Sequence, residues 1–192
     1  SEQTGAILVV HPSNYRVRGF TAEVELHDLS VLARRAGVPL VYDLGGGVLC
    51  DLAQWSLPAE PIVKDELAKG ADLVTFSGDK VLGGPQAGLI AGALPYIEAI
   101  RKNALMRALR CDKLVYAALE ATLSLYRLKP EILRQELPVL RMLCAPLAEL
   151  QARAERLSEA LRAACGDVLI VEVVESISQA GSGALPLEEM PS

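Results

Sequence analysis

A single lysine lies in a glycine-rich segment directly after an apolar run. The segment VTFSGDKVLGGPQAG spans residues 74–88, and Lys80 stands between Asp79 and a pair of glycines. Apolar surroundings disfavour a charged ammonium group, so a lysine held in such a turn can present a free amine. A free amine can form an imine with an aldehyde cofactor. Lys80 is therefore the first candidate for chemistry.

Two further polar side chains follow apolar runs nearby. Asp43 comes directly after VPLVY, and Ser77 precedes Lys80 by three residues. Pyridoxal phosphate needs a lysine, a carboxylate at its pyridine nitrogen, and hydroxyls or amides at its phosphate. Ligands of open parallel sheets bind beyond the carboxyl ends of the strands, where these residues are expected. An aspartate there can also cap a helix or form a turn, so spacing alone leaves the cofactor open.

The composition describes a globular chain and excludes several classes of site. The 19 basic and 24 acidic residues give a net charge of −5, which argues against a protein that binds nucleic acid over its whole surface. Neither GxxxxGKS/T nor GxGxxG occurs, so a nucleotide loop is poorly supported. The cysteines lack a CxxC pair and only two histidines are present, so no metal site is expected. The free thiols, the lack of an apolar run of about 18 residues and the lack of a signal peptide predict a cytoplasmic protein without a membrane span.

Apolar and helical patterns alternate in the first half of the chain. Short apolar runs predict four strands, at 6–10, 38–43, 71–78 and 87–92. Helical spacing predicts helices at 23–37 and 61–70, further helices from Pro95, a long helix from Leu147 to about Cys165, and a last strand at 167–178. Such alternation predicts an α/β fold whose mostly parallel sheet is covered on both faces, with the 87–92 strand beside its predecessor.

The pattern changes near residue 145, from alternating strands and helices to one long helix followed by a strand. We therefore expect residues 1–144 to belong to one domain and residues 145–192 to begin a second, smaller one. The ends also look cut, because Ser1 is not an initiator methionine and the chain stops at LPLEEMPS without a closing element. The sequence is expected to be an internal piece of a longer protein.

Five segments resemble the bacterial selenocysteine synthase family, the L-seryl-tRNA(Sec) selenium transferases. They are HPSNYRVRGFTAEV, DLGGGVLCDL, ADLVTFSGDKVLGGPQAGLIAG, LMRALRCDKLVYAALEATLSLY and SQAGSGALPLEEMPS, and Val81 is a trivial departure from the lysine segment of the family. The resemblance implies the type I, aspartate-aminotransferase-like pyridoxal-phosphate fold, with residues 1–144 as the C-terminal portion of its large domain and residues 145–192 as the start of its small domain. It also implies a large ring-shaped homo-oligomer. The implied reaction converts seryl-tRNA(Sec) to selenocysteinyl-tRNA(Sec) with selenophosphate, through an aminoacrylyl intermediate.

The resemblance also implies roles for individual residues. Lys80 is the implied Schiff-base lysine, Asp43 the implied partner of the pyridine nitrogen, and Asp79 the implied assistant in the chemistry. Arg107 and Arg110 are implied to hold the phosphate of selenophosphate. An arginine fork matches a phosphate with two hydrogen bonds, and residues three apart share a helix face. Without the resemblance, the favoured interpretation of these two arginines is a solvated helix face.

The loop after the first predicted strand carries weaker candidates. His11 can face the cofactor ring or make a structural hydrogen bond. Tyr15, Arg16 and Phe20 follow in the same loop and match the family, which favours a substrate or subunit contact. For Cys111 we favour packing over reactivity.

Two other functions stay open at this point. A related pyridoxal-phosphate lyase acting on a free amino acid or an amino-sugar phosphate would share the lysine segment. A non-catalytic fragment would gain nothing from keeping Asp43, Ser77, Asp79 and Lys80 together, which speaks against it. By the resemblance, tRNA contacts lie mainly in an N-terminal domain outside this sequence, so the chain alone is expected to lack turnover.

Overall fold

The computed structural model describes residues 3–12, 19, 21–178 and 190–192. Its centre is a four-stranded sheet in the order β1-β2-β3-β4. The strands are β1 (Ile7–Val10), β2 (Leu40–Gly45), β3 (Leu73–Ser77) and β4 (Gly88–Gly92). The first three run parallel, and β4 pairs antiparallel with β3. All four predicted strands are confirmed, and so is the place of the fourth beside the third.

Helices connect the parallel strands and follow the sheet. Helix α1 (Leu26–Ala36) lies between β1 and β2, and α2 (Val63–Ala68) lies between β2 and β3. The later helices are α3 (Leu94–Lys102), α4 (Leu105–Leu109), α5 (Lys113–Leu125), α6 (Pro130–Glu136), α7 (Pro138–Leu143) and α8 (Leu147–Cys165). Among the described residues, no helix is long and apolar enough to cross a membrane.

The ends of these helices follow from local sequence. Helix α1 ends at Gly37, whose φ of 66° is left-handed and whose N–H donates to carbonyls of the last turn. Helix α5 begins after Asp112, whose side chain accepts hydrogen bonds from the backbone N–H groups of Leu114 and Val115. Helices α6 and α7 each begin with a proline at the first turn, where the missing N–H has no intrahelical partner to lose.

Two apolar cores hold the chain together. The first lies where α1 and α2 pack on one face of the sheet, and its buried residues are Leu26, Ala33, Leu40, Leu44, Val63, Ala71, Val74, Phe76 and Leu82. The second lies between the loops after β2 and β3 and helices α6 and α7, and its buried residues are Val48, Leu52, Leu57, Val81, Leu133, Leu137 and Leu140. Burial of these side chains is the main force that fixes the loops beyond the strand ends.

The opposite face of the sheet is open at the outer strands β1 and β4 in the described part of the chain. Leu8 is 64% exposed, Val10 55% and Ile90 42%. Val10 and Ile90 pair in register with Asp43 and Thr75, so they share a face with those residues. The expectation that both faces are covered is therefore wrong for the residues described, because no helix among them packs over these side chains.

The end of the chain also departs from expectation. Helix α8 has the predicted bounds, but a 3₁₀ turn, Gly166–Val168, follows it. The predicted strand at 167–178 is wrong except for β5 (Ile177–Ser178), which pairs antiparallel with β6 (Met190–Pro191). An apolar run becomes a strand only where a second strand can share its backbone hydrogen bonds. Ser176 exchanges two such bonds with Ser192, but residues 169–175 make none with any other described residue.

Candidate functional site

Asp43 lies at the centre of the sheet. It belongs to β2, and it pairs in register with Val10 of β1 and Thr75 of β3. The Thr75 hydroxyl donates to Asp43 Oδ1 at 2.9 Å, so the two side chains share one face. The carboxylate is half-buried, and its Oδ2 has no hydrogen-bond partner in the described part of the chain. One oxygen is thus fixed while the other is available to a ligand.

The glycines after Asp43 bring the following loop against the end of β3. Gly47 is buried and has a φ of 72°. A Cβ atom added there would lie 2.7 Å from the Ser77 carbonyl oxygen, closer than any side chain tolerates. Gly47 therefore meets both requirements that favour glycine, a left-handed backbone and a close approach. This contact is the structural reason for a glycine at position 47.

Lys80 lies in the loop of residues 78–87 that joins β3 to β4, which we call the lysine loop. The Lys80 carbonyl accepts a hydrogen bond from the Gly83 N–H at 2.9 Å, which closes a turn directly after the lysine. Val81 and Leu82 are 2% and 0% exposed and anchor this turn. The Lys80 side chain is half-buried and makes no ion pair with any described residue. A backbone hydrogen bond thus holds this turn, and none of the described side chains neutralises the Lys80 amine.

The predicted residues Asp43 and Ser77 lie on one face of the sheet, toward the carboxyl ends of β2 and β3. Side chains alternate along a strand, so Ser77 lies on the same face of β3 as Thr75 and hence as Asp43. Lys80 follows three residues later, and Asp79 beside it is exposed. A carboxylate, a hydroxyl and an uncompensated amine are the groups that pyridoxal phosphate requires, so the residues present fit this cofactor.

His11 joins the site through its backbone. Its N–H donates to the Asp43 carbonyl at 2.8 Å, which extends the β1–β2 pairing by one residue. Its ring Nε2 lies 3.1 Å from Glu60 Oε2, and both side chains are largely buried. The structural hydrogen bond that the sequence allowed is present, while contact with a cofactor ring stays a prediction. Of the other loop candidates, Tyr15, Arg16 and Phe20 lie outside the described residues.

Arg107 and Arg110 do not share a helix face. Helix α4 ends at Leu109, and Arg110 follows it with an extended backbone at a ψ of 138°. The premise of two arginines on one helical face is therefore wrong. Both side chains are exposed, and neither makes an ion pair within the ranges that the structure describes. Their role toward a phosphate stays a prediction. The neighbouring Cys111 is a free, half-buried thiol.

Three contributing residues were missed from the sequence. Thr75 could have been found, because it alternates with Ser77 along β3. Glu60 could not, since it lies 49 residues from His11. Tyr126 could not either, since its hydroxyl donates to the Leu82 carbonyl at 3.0 Å across 44 residues. Burial raises the pKa of the Tyr126 phenol above its ordinary value.

The fold places the chain in a class of α/β protein that is known from solved structures. D-glucosaminate-6-phosphate ammonia-lyase shares the fold, with a TM-score of 0.55 over 85% of this chain and 36% of the lyase. The two sequences are 23% identical, so the likeness concerns the fold alone. The fold class predicted from the sequence is confirmed.

The family follows from the whole length of the chain. The family model described as "SelA: L-seryl-tRNA selenium transferase" matches residues 1–192, so the chain belongs to this family. Proteins named L-seryl-tRNA(Sec) selenium transferase are 53% identical in Methylocella silvestris, 50% in Nitratidesulfovibrio vulgaris and 47% in Haemophilus influenzae, each over all of this chain. The chain spans 41% of the length of each of these curated relatives.

Proposed function

We propose that the protein of which this chain is part converts L-seryl-tRNA(Sec) to L-selenocysteinyl-tRNA(Sec), with selenophosphate as the selenium donor and pyridoxal phosphate as the cofactor. The observation that carries the proposal is the match of all 192 residues to the family, at about half identity to relatives named for this reaction. An enzyme that acts on aminoacyl-tRNA belongs in the cytoplasm, and we propose that location here.

Three side chains are proposed to hold the cofactor. Lys80 would bind its aldehyde, Asp43 would face its pyridine nitrogen, and Ser77 would donate to its phosphate. The bound cofactor supplies an electron sink next to the α-carbon of an amino acid. The Thr75 hydroxyl supports this arrangement, because it fixes one oxygen of Asp43 and leaves the other for the ring. His11 would border the ring from the end of β1.

We propose that proton transfer and the binding of selenophosphate take place on the exposed side of the site. The Lys80 amine would be the group that takes a proton from the α-carbon of the substrate, and the exposed Asp79 carboxylate beside it would move protons to or from solvent. Arg107 and Arg110 would bind the phosphate of selenophosphate. Since the two arginines lie on either side of the end of α4, we propose that they grip the phosphate from two directions rather than as one helical pair.

A second candidate function has one supporting observation. The fold shared with D-glucosaminate-6-phosphate ammonia-lyase is compatible with the alternative of a lyase that acts on an amino-sugar phosphate or a free amino acid. The lower sequence identity to that enzyme, 23% against 53%, favours the selenium transferase.

The test uses the complete gene product. Purified protein with pyridoxal phosphate should show a visible absorbance band that borohydride bleaches, with the reduced label on the peptide that contains Lys80. Lys80→Ala should lack the band and the label while remaining folded, whereas Lys64→Ala, at an exposed position on α2, should keep both. Seryl-tRNA(Sec) with selenophosphate should give selenocysteinyl-tRNA(Sec). Release of ammonia from glucosamine-type phosphates without tRNA turnover would establish the lyase instead.

Three proposals concern the organisation of the whole protein. The large domain ends near residue 144, and α8 opens the small domain. The protein is a homo-oligomer, which is consistent with exposed apolar side chains such as Leu105, Leu109 and Leu114, at 65%, 72% and 72% exposure. The 192-residue chain alone has no turnover, because it spans 41% of its relatives. Light scattering and an activity assay of the isolated chain test the last two.

A further inference from the structure

The lysine loop is anchored in both apolar cores. Leu82 lies in the core beneath the sheet, and Val81 lies in the core formed with α6 and α7. These two residues directly follow Lys80, so the position of the lysine backbone depends on how both cores meet. A side chain that contacts both cores is therefore well placed to control Lys80.

Tyr126 is such a side chain. It follows the last residue of α5, and its ring packs against both cores. Its hydroxyl donates to the Leu82 carbonyl at 3.0 Å. A buried carbonyl loses more when its donor is removed than an exposed one does, because no water replaces the donor. This hydrogen bond therefore ties the turn after Lys80 to the end of α5.

The lysine loop also packs between helices. A Cβ atom on Gly84 would lie 3.5 Å from Leu119 Cδ1 and 3.6 Å from Thr122 Cγ2, so α5 runs along the loop. A Cβ atom on Gly83 would lie 3.1 Å from Leu137 Cδ1 at the α6–α7 junction. These contacts are apolar, so they allow small displacements of the lysine loop relative to the helices. The Tyr126 hydrogen bond is directional, so it can select one position of the loop.

We propose that Tyr126 is a positioning residue for Lys80: its hydrogen bond to the Leu82 carbonyl holds the lysine loop in the one conformation that presents the Lys80 amine to an aldehyde. This rests on the proposed role of Lys80. Tyr126 touches neither cofactor nor substrate, and it acts only through the backbone of the loop.

The test compares three variants of the complete gene product. Tyr126→Phe removes only the hydroxyl. Tyr116→Phe makes the same change on α5 at a side chain that is 60% exposed and has no hydrogen-bond partner among the described residues. Leu125→Ala weakens the second core beside Tyr126 without removing the hydrogen bond. Two properties are measured: backbone amide exchange at residues 80–84 of the cofactor-free protein, and the apparent Kd for pyridoxal phosphate from the absorbance band.

The proposal makes a distinct prediction for each variant. Tyr126→Phe should speed amide exchange at residues 80–84. It should also raise the apparent Kd for pyridoxal phosphate about tenfold, the size expected for one hydrogen bond to a buried carbonyl. Tyr116→Phe should leave both properties unchanged. Leu125→Ala should lower the melting temperature without a comparable change in either property.

Two results would overturn the proposal. One is a Tyr126→Phe protein whose amide exchange and Kd match the wild type. The other is a Leu125→Ala protein whose amide exchange and Kd change as much as those of Tyr126→Phe. That result would show that Tyr126 contributes only to general stability. If Tyr126→Phe fails to fold, 3-fluorotyrosine at position 126 keeps the ring and strengthens the donor, and it should slow the same exchange; unchanged exchange overturns the proposal. Absence of a borohydride-trapped label at Lys80 in the wild type would instead refute the proposed function.

Discussion

Replacing Gly47 by alanine tests whether the loop after Asp43 must touch the end of β3. The new Cβ atom would lie 2.7 Å from the Ser77 carbonyl oxygen and 3.0 Å from Phe76 Cδ2. The first neighbour is backbone and cannot rotate away. Either the loop or the end of β3 must move, and the lysine loop begins at that end.

The size of the effect follows from two separate costs. A left-handed backbone costs a non-glycine residue roughly 1–2 kcal/mol, and the φ of Gly47 is 72°. Forcing a methyl group into a packed site costs about 1–3 kcal/mol more. The sum is a loss of roughly 2–5 kcal/mol in the free energy of unfolding, or about 4–20 °C in Tm for a domain of this size.

Calorimetric melting of Gly47→Ala, with Gly88→Ala as the matched control, measures this loss. Gly88 lies in β4 opposite Ser77, and a Cβ atom there meets nothing within 4 Å. The control should therefore melt within a few degrees of the wild type, while Gly47→Ala melts lower and binds pyridoxal phosphate more weakly. Equal melting of the two variants would show that the close approach of Gly47 to Ser77 is not required.

Three further changes probe the site. Thr75→Val removes the donor to Asp43 and should weaken pyridoxal phosphate binding about 10- to 100-fold, since a hydrogen bond to a charged group contributes roughly 1.5–3 kcal/mol. Burial, with nearby carboxylates adding, raises the pKa of Tyr42 from 10.0 to about 12, so the unfolded chain loses this proton first and stability should fall as pH rises between those values. Tyr42→Phe should flatten that part of the unfolding profile. Arg107→Ala combined with Arg110→Ala should raise KM for selenophosphate while leaving the cofactor band unchanged.

Each of these changes has its own control. Thr122→Val removes a hydroxyl that bonds within α5, and it should leave cofactor affinity unchanged. Tyr116→Phe should not flatten the alkaline profile, and a slope as steep in Tyr42→Phe as in the wild type would contradict the role of Tyr42. Arg101→Ala, in the last turn of α3, should leave KM for selenophosphate unchanged. If the double arginine variant has the same KM for selenophosphate as the wild type, the two arginines do not bind the selenium donor.

Much of the fold was predictable because its signals are local. Four apolar runs became the four strands of the sheet, and Gly37 ended α1 as its sequence indicated. Asp43, Ser77 and Lys80 were recognisable because parallel strands bring their carboxyl ends to one edge. Arg110 was misplaced because helix ends are set by backbone detail that residue spacing does not show.

What the sequence alone determined was therefore the set of strands and the reactive groups at their ends, since periodicity and turn residues act over a few positions. Only the tertiary structure decided which partner each group received: Thr75 for Asp43, Glu60 for His11, and Tyr126 for the carbonyl of Leu82. It also decided that residues 169–176 form no strand. These outcomes depend on which distant segments come into contact when the cores pack, and a local sequence pattern does not specify such long-range contacts.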